Sequence, residues 1–172
     1  VRGTAVQTGV YNASAGVHPY NLGKISLVGD SIKIETPSDE RKADGSFKEA
    51  YYALASYGGT ININVLDANN NQDKALFKTK LEAAEGKTTN IIGNGIALKR
   101  SERTDKPDVY QDGRLNIGLT TKDSTWKGVV DNAGTDHAGE VNVWLSNGAQ
   151  WTHEATSRVD GLDYSNMPAY SK

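Results

Sequence analysis

The chain of 172 residues has no cysteine, one methionine and two phenylalanines. Without cysteine it can form neither a disulfide framework nor a thiolate metal site. No apolar run approaches the roughly 20 residues that a transmembrane helix requires. Charge of one sign is not in excess, because 19 basic residues stand against 21 acidic ones. The balance therefore gives no sign of the clustered Lys and Arg that bind nucleic acids or anionic membranes.

Glycine is abundant, with 18 residues, and Asn, Thr and Ser are frequent. Such a composition is typical of many short strands joined by tight turns. The length predicts one domain, 1–172, in which residues 1–22 form a cap or an irregular lead-in. Because the chain starts at Val1 without an initiator methionine or a signal peptide, we expect it to be a segment of a longer protein.

A phrase of the form Gly-x-apolar-Asn/Ser-apolar occurs four times, beginning at Gly23, Gly59, Gly113 and Gly139. The last two copies are 26 residues apart (139 − 113). The interval of 54 residues before them (113 − 59) is about twice as long, and predicts a degenerate copy that begins at Gly86. A unit this short cannot bury its own apolar face, so the copies must stack on each other to make a core.

The alternation within each phrase is that of a β-strand, with apolar residues on one side and Asn on the other. A second short strand follows most copies, as at 31–34. These patterns predict an all-β fold. Each repeat has two or three strands, and two-residue hairpin turns are missing between them, which favours a parallel β-helix (solenoid) over a sandwich. We expect about five to six coils. A Ser-x-x-Glu capping box predicts a short helical insertion near 46–56. Residues 101–112 are charged and predict an exposed loop.

Two tryptophan signatures follow the last two phrases. Ser124–Gly128 reads Ser-x-Trp-x-Gly, Gly148–Trp151 reads Gly-Ala-x-Trp, and Ser157–Leu162 reads Ser-x-Val-x-x-Leu. Together they resemble passenger domains of Gram-negative autotransporters of the pertactin-like or AIDA-type adhesin group. The second signature departs from the first at one position, because His153 follows Trp151-Thr152 where a Gly would be expected. The resemblance covers 113–162 and implies a right-handed β-helix that is exported through the outer membrane and displayed on the cell surface for adhesion.

Three motifs suggest chemistry, but each lacks a necessary part. The block at 29–32 resembles the nucleophile block of GDSL esterases, yet no histidine in the chain has Asp three residues before it. Asp67–Asp73 begins like a calcium loop but lacks the Gly and Glu needed at the sixth and twelfth positions, which argues against a calcium site. Weak calcium binding by this segment stays open. Asp105 and Asp131 are one repeat apart, but nothing apolar lies beside them in sequence to raise a pKa for glycoside hydrolysis. We therefore predict no catalytic residue, no metal site and no cofactor.

The candidate ligand-binding residues are Trp144, Asn116 and Asn142. Strand alternation places Trp144 outward, above Gly118 of the preceding coil, where an aromatic ring can cover bare backbone or anchor a sugar ring or a protein partner. Asn62, Asn116 and Asn142 share the neighbouring outward column and are predicted to form an amide ladder along the stack.

These observations predict a non-enzymatic cell-surface adhesin segment that contacts a host or bacterial surface glycan or protein. We expect no nucleic-acid partner and no membrane insertion by this segment, and self-association through open coil ends stays open. A carbohydrate-active β-helix enzyme (a polysaccharide lyase or hydrolase) and a purely mechanical spacer are the alternatives. The enzyme would need a groove with two convergent carboxylates, whereas the spacer would show no exposed aromatic cluster.

Overall fold

The computed structural model describes residues 6–9, 24–35, 52–67, 81–101, 110–111, 113–130, 138–153 and 159–163. All regular structure in these ranges is β, as predicted, and they contain no helix. The strands are β1 (Val6–Gly9), β2 (Lys24–Leu27), β3 (Ser31–Glu35), β4 (Leu54–Tyr57), β5 (Thr60–Ile63), β6 (Val65–Asp67), β7 (Leu81–Ala83), β8 (Thr88–Ile92), β9 (Gly95–Leu98), β10 (Arg100–Ser101), β11 (Tyr110–Gln111), β12 (Arg114–Leu119), β13 (Thr125–Lys127), β14 (Glu140–Leu145), β15 (Gln150–Thr152) and β16 (Gly161–Asp163).

Most of the strands belong to three parallel sheets. Sheet A has the order β1-β4-β9, sheet B the order β2-β5-β12-β14-β16, and sheet C the order β3-β8-β13-β15. Along the chain the strands enter A, then B, then C, and the order repeats. After β13 the place in sheet A is taken by Val130, which forms a parallel bridge with Gly95. Two antiparallel pairs, β6–β7 and β10–β11, are inserted into this order.

Equivalent positions of the repeated phrase lie side by side in sheet B. Ile61 pairs with Leu115, and Leu115 pairs with Val141. All three side chains are 0% exposed. The inward row expected from the glycine-headed phrases is therefore present, and Ile25 extends it by one strand.

Aliphatic and aromatic residues from all three sheets form one hydrophobic core. Sheet C contributes a row made of Ile34, Ile91, Trp126 and Trp151. Sheet A contributes Leu54, together with the bridging residue Val130. Because each strand is too short to bury its apolar face alone, the core exists only when the strands of successive phrases stack.

The glycines at the head of the last two phrases are required by close backbone approach. A Cβ on Gly139 would lie 2.2 Å from the carbonyl oxygen of Gly113, and a Cβ on Gly113 would lie 2.4 Å from the carbonyl oxygen of Leu98. The amide of Glu140 donates to the Gly113 oxygen at 2.8 Å. Any side chain at these two positions would separate strands that are hydrogen-bonded to each other.

The degenerate copy predicted at Gly86 is wrong. β12 pairs directly with β5, and β8, which follows Gly86, lies in sheet C between β3 and β13. The 54 residues therefore make a single passage from one sheet B strand to the next, lengthened by the two antiparallel pairs. Gly86 has a φ of 70° and no atom within 4 Å of a Cβ position, so it serves a turn and not a close contact. Alternation of apolar and polar residues is common to every half-buried strand and does not specify its sheet.

The helical insertion predicted near 46–56 is wrong where the chain is described, because Leu54–Tyr57 form β4. Pairing with β1 and β9 satisfies the backbone of β4. Leu54 and Ala55 are buried in different apolar clusters on the two faces of the sheet. This burial outweighs the moderate helix propensity of Ala and Leu, which is a weak determinant on its own. Residues 46–51 lie outside the described ranges.

The loop predicted at 101–112 is closed at its base by an antiparallel ladder. Ser101 pairs with Tyr110, and Arg100 pairs with Gln111. Residues 102–109 and 112 lie outside the described ranges. Of the predicted cap or lead-in at 1–22, the structure describes only β1, which pairs with β4 in sheet A.

Replacing Gly139 by Ala should lower the free energy of unfolding by about 2 to 3 kcal/mol, because the new methyl group overpacks against a carbonyl oxygen that cannot move freely. Urea unfolding followed by tryptophan fluorescence measures this change.

Gly29→Ala is the matched control, since a Cβ there meets only a side-chain carbon of Ile32 at 3.6 Å. That variant should be neutral, or more stable by up to about 1 kcal/mol. Equal losses in the two variants would contradict close approach as the reason for glycine.

Candidate functional site

An amide ladder crosses four strands of sheet B. Asn116 Nδ2 donates to Asn62 Oδ1 at 2.8 Å, and Asn142 Nδ2 donates to Asn116 Oδ1 at 3.0 Å. Asn62 Nδ2 donates to Ser26 Oγ at 3.2 Å. The predicted column therefore exists, and it links β2, β5, β12 and β14 through side chains as well as backbone.

The ladder occupies most of the hydrogen-bonding capacity of its central members. Asn62 is 2% exposed and Asn116 is 1% exposed, so a ligand cannot reach the Asn116 amide. Asn142 is half-buried, and its Nδ2 also donates to Glu140 Oε1 at 2.8 Å. On the far side, a Cβ on Gly161 would lie 2.5 Å from Asn142 Oδ1, and the ladder ends there. Of the three asparagines in the ladder, Asn142 is the one with an accessible surface.

Trp144 lies on the outer side of β14, beside Gly118 of β12 and Asp163 of β16. Its side chain is half-buried, whereas Val143 and Leu145 on either side of it are buried. The nearest atom to a Cβ on Gly118 is the carbonyl oxygen of Asn64, at 2.3 Å. The close approach of the turn that precedes β6 therefore explains why position 118 is a glycine. A covering Trp144 ring is not needed as the reason.

An ion pair lies next to these residues. Arg114 Nε is 3.2 Å from Glu140 Oε2, and both side chains are about two-fifths exposed. Residues 140, 142 and 144 alternate along β14 onto one face, and Arg114 is the neighbour of Glu140 across the sheet. We call Arg114, Glu140, Asn142 and Trp144 the β14 patch. It places an aromatic ring in line with an amide, a carboxylate and a guanidinium.

Such a combination suits a hydroxylated ring, because an aromatic face packs on the apolar side of a sugar while amide and charged groups bond its hydroxyls. Sequence reasoning found Trp144 and Asn142 but missed Arg114 and Glu140. The signal was available, since the two residues hold the same second position in phrases 26 residues apart and carry opposite charge.

Trp126 and Trp151, one from each tryptophan signature, are stacked. Their ring centroids are 4.8 Å apart and the planes differ by 6°. Each indole Nε1 donates at 3.0 Å to a glycine carbonyl, Trp126 to Gly93 and Trp151 to Gly128. Trp126 is 1% exposed. The signatures therefore supply a repeated core contact and not a binding site.

Within the described ranges, the esterase-like block has no histidine close to its serine. Ser31 begins β3, and the one described histidine, His153, follows β15. β3 and β15 are the two outermost strands of sheet C, so about 14 Å of sheet separates them. Asp30 instead pairs with Lys87, whose hydrogen bond and charge lower the pKa of the Asp30 carboxyl. This pair joins the turn before β3 to the turn before β8.

The other chemical motifs are mostly beyond what the structure covers. Asp105, Asp131 and residues 68–73 of the calcium-like loop lie outside the described ranges, and Asp67 is the last residue of β6. Within the described ranges no three His, Cys, Asp or Glu residues group together as a metal site would require. The same ranges contain no helix with the length and apolar character needed to cross a bilayer.

Comparison of the chain with protein-family models, with curated proteins and with solved structures found no match.

The ladder predicts that Asn116→Ala lowers the free energy of unfolding by about 2 to 3 kcal/mol, because it leaves the buried Asn62 oxygen and one Asn142 donor unpaired. Chemical denaturation is the measurement. Asn90→Ala is the control, since Asn90 accepts an exposed hydrogen bond from Thr125 in sheet C and should cost about 0.5 kcal/mol or less. A loss at Asn90 as large as that at Asn116 would argue against the ladder.

Lys87→Met should raise the pKa of Asp30 towards its ordinary value, because it removes the hydrogen bond and the positive charge that lower it. An NMR titration of the Asp30 carboxyl measures the shift. Since the pKa in the folded chain is depressed, the stabilisation by Lys87 is present above the pKa of the unfolded chain, near 4, and is lost as the pH falls through the folded value. An unchanged Asp30 titration in the variant would contradict this pairing.

Proposed function

We propose that this chain is a segment of a right-handed parallel β-helix with about five coils, each built from strands of sheets A, B and C. The observation that carries the proposal is the repeating order in which the chain enters the three parallel sheets, with equivalent residues of each phrase in register. Right-handedness follows from the strong preference of parallel crossover connections for that hand.

The two antiparallel pairs support the same architecture. β6–β7 is inserted between a sheet B strand and the next sheet C strand, and β10–β11 between a sheet A strand and the next sheet B strand. Both insertions thus fall at corners of the winding, where a solenoid accepts extra residues without disturbing the stacked rows. Insertions of this kind commonly build the binding face of a repeat protein.

The role that we propose is that of a non-enzymatic adhesin segment, the β-helical passenger of a Gram-negative autotransporter displayed at the cell surface. The support is the likeness of 113–162 to that group, together with the physical part that its tryptophans play. Trp126 and Trp151 stack in adjacent strands and bond to glycine carbonyls, which gives a structural reason for the two signatures that contain them.

Within this role, the β14 patch is the contact surface that we propose, and a surface glycan is the ligand class that fits it best. Trp144 offers an outward ring, and Asn142, Glu140 and Arg114 offer donors and acceptors beside it. Two described carboxylates lie in the candidate sites, Glu140 in the β14 patch and Asp30 in the esterase-like block. Each is paired with a basic side chain. The acid of a glycosidase must be held protonated, and Lys87 opposes this at Asp30 by lowering the pKa of that carboxyl.

Binding of the purified chain to an array of surface glycans and matrix proteins tests the adhesin role. Trp144→Ala should weaken binding to the glycans retained by the intact chain at least tenfold, because an anchoring aromatic ring contributes on the order of 2 kcal/mol. Trp144→Phe should restore part of the loss. Val28→Ala, at an exposed apolar residue that follows β2, three strands from β14 in sheet B, is the control and should bind as the intact chain does.

Absence of any binding by the intact chain would favour the mechanical spacer. Binding that survives Trp144→Ala unchanged would leave the adhesin role and remove the β14 patch. Urea unfolding of the variants separates loss of contact from loss of fold.

A further inference from the structure

The amide ladder of sheet B has a fixed direction. Each amide nitrogen donates to the neighbouring strand on the β2 side, Asn142 to Asn116 and Asn116 to Asn62. Turning an amide by 180° would reverse this chain of bonds. Glu140 prevents the reversal at Asn142, because a carboxylate only accepts and Glu140 Oε1 receives a hydrogen bond from Asn142 Nδ2. The amide oxygens of the ladder therefore all face the β16 side.

The last oxygen of the ladder, Asn142 Oδ1, is open to solvent. It faces Gly161 of β16, which has no side chain to cover it. No described residue donates a hydrogen bond to this oxygen. Within the described ranges the one buried side-chain nitrogen or oxygen without a partner is Asn94 Nδ2, so Asn142 Oδ1 is unpaired but not buried. The bonds behind it polarise the amide, which makes the oxygen a stronger acceptor.

Beside Trp144, the β14 patch therefore presents hydrogen-bond acceptors to a ligand. Both N–H groups of Asn142 are in use, one to Asn116 and one to Glu140. Glu140 accepts from Arg114 Nε at Oε2 and from Asn142 at Oε1, which leaves further lone pairs on both oxygens. Arg114 belongs to β12, whereas Asn142 Oδ1 faces the opposite neighbour, β16. A group that bonds to Asn142 must itself be a donor.

We propose that the β14 patch binds neutral pyranose sugars, whose hydroxyl groups donate to Asn142 Oδ1 and Glu140 while the ring packs on Trp144, and that it discriminates against uronic acids and sulfated sugars. This inference rests on the proposed adhesin role and names the class of glycan within it. Carboxylate and sulfate groups only accept hydrogen bonds. At Asn142 Oδ1 such a group would leave two acceptors facing each other and would meet the negative charge of Glu140.

Matched oligosaccharides test this selectivity. Trimers of glucose, galactose and mannose are immobilised beside the same trimers in which each C6 alcohol has been oxidised to a carboxylate. The oxidation keeps the ring size and the linkage and adds negative charge. The intact chain should bind at least one neutral trimer, and should bind its oxidised counterpart about tenfold more weakly or less, because like charges oppose each other at Glu140.

Glu140→Gln should lower the ratio of the two affinities to about threefold or less, because it removes the negative charge that repels the oxidised trimer. Glu35→Gln is the matched control. It removes the carboxylate of another exposed ion pair, with Lys33 on the outer face of sheet C, and changes the net charge by the same amount. The control should keep the ratio of the intact chain. Urea unfolding checks that both variants fold.

The salt dependence of binding is the second measurement. A neutral sugar forms no ion pair with the patch, so its dissociation constant should change by less than about twofold between about 20 and 500 mM NaCl. Affinity that falls steeply over this range would show that charge attracts the ligand, and would overturn the selectivity proposed for the patch.

The outcomes separate this inference from the adhesin role. Oxidised trimers that bind as tightly as the neutral ones, or more tightly, would overturn the selectivity and leave the adhesin role in place. An equal fall of the ratio in Glu140→Gln and Glu35→Gln would also overturn it, because net charge would then explain the result. Retention of matrix proteins alone, with neither series of trimers bound, would remove the glycan ligand and this inference with it.

Discussion

The structure depends on one constraint, the in-register approach of equivalent backbone positions in successive parallel strands. Strands in a sheet lie about 4.8 Å apart, and at the corner before each sheet B strand the backbones come closer still. At Gly113 and Gly139 there is no room for a Cβ, because a carbonyl oxygen of a neighbouring segment occupies the place. These two glycines therefore allow the close spacing between β12, β14 and their neighbouring segments.

Once this register is set, like side chains meet at several positions of neighbouring strands. Aliphatic residues pack on aliphatic residues, Trp126 stacks on Trp151, and Asn116 bonds to Asn62 and Asn142. An amide can both donate and accept, so identical amides satisfy each other in a row, which an acidic or basic side chain cannot do.

The proposed adhesin role rests on the outer face of this arrangement. The β14 patch lies on the outer face of sheet B, where the ion pair of Arg114 and Glu140 flanks Asn142 in line with Trp144.

The amino-acid sequence by itself determined the all-β class, the inward row of Ile61, Leu115 and Val141, the tryptophan stack and the amide ladder, because these depend on residue type at a constant spacing. Only the tertiary structure decided that β8 joins sheet C, that Leu54–Tyr57 form a strand, and that Arg114 pairs with Glu140. Those outcomes depend on which distant strand is available to bury a face or pair a backbone. Local alternation and propensity are the same for every candidate partner, and so carry no information about that choice.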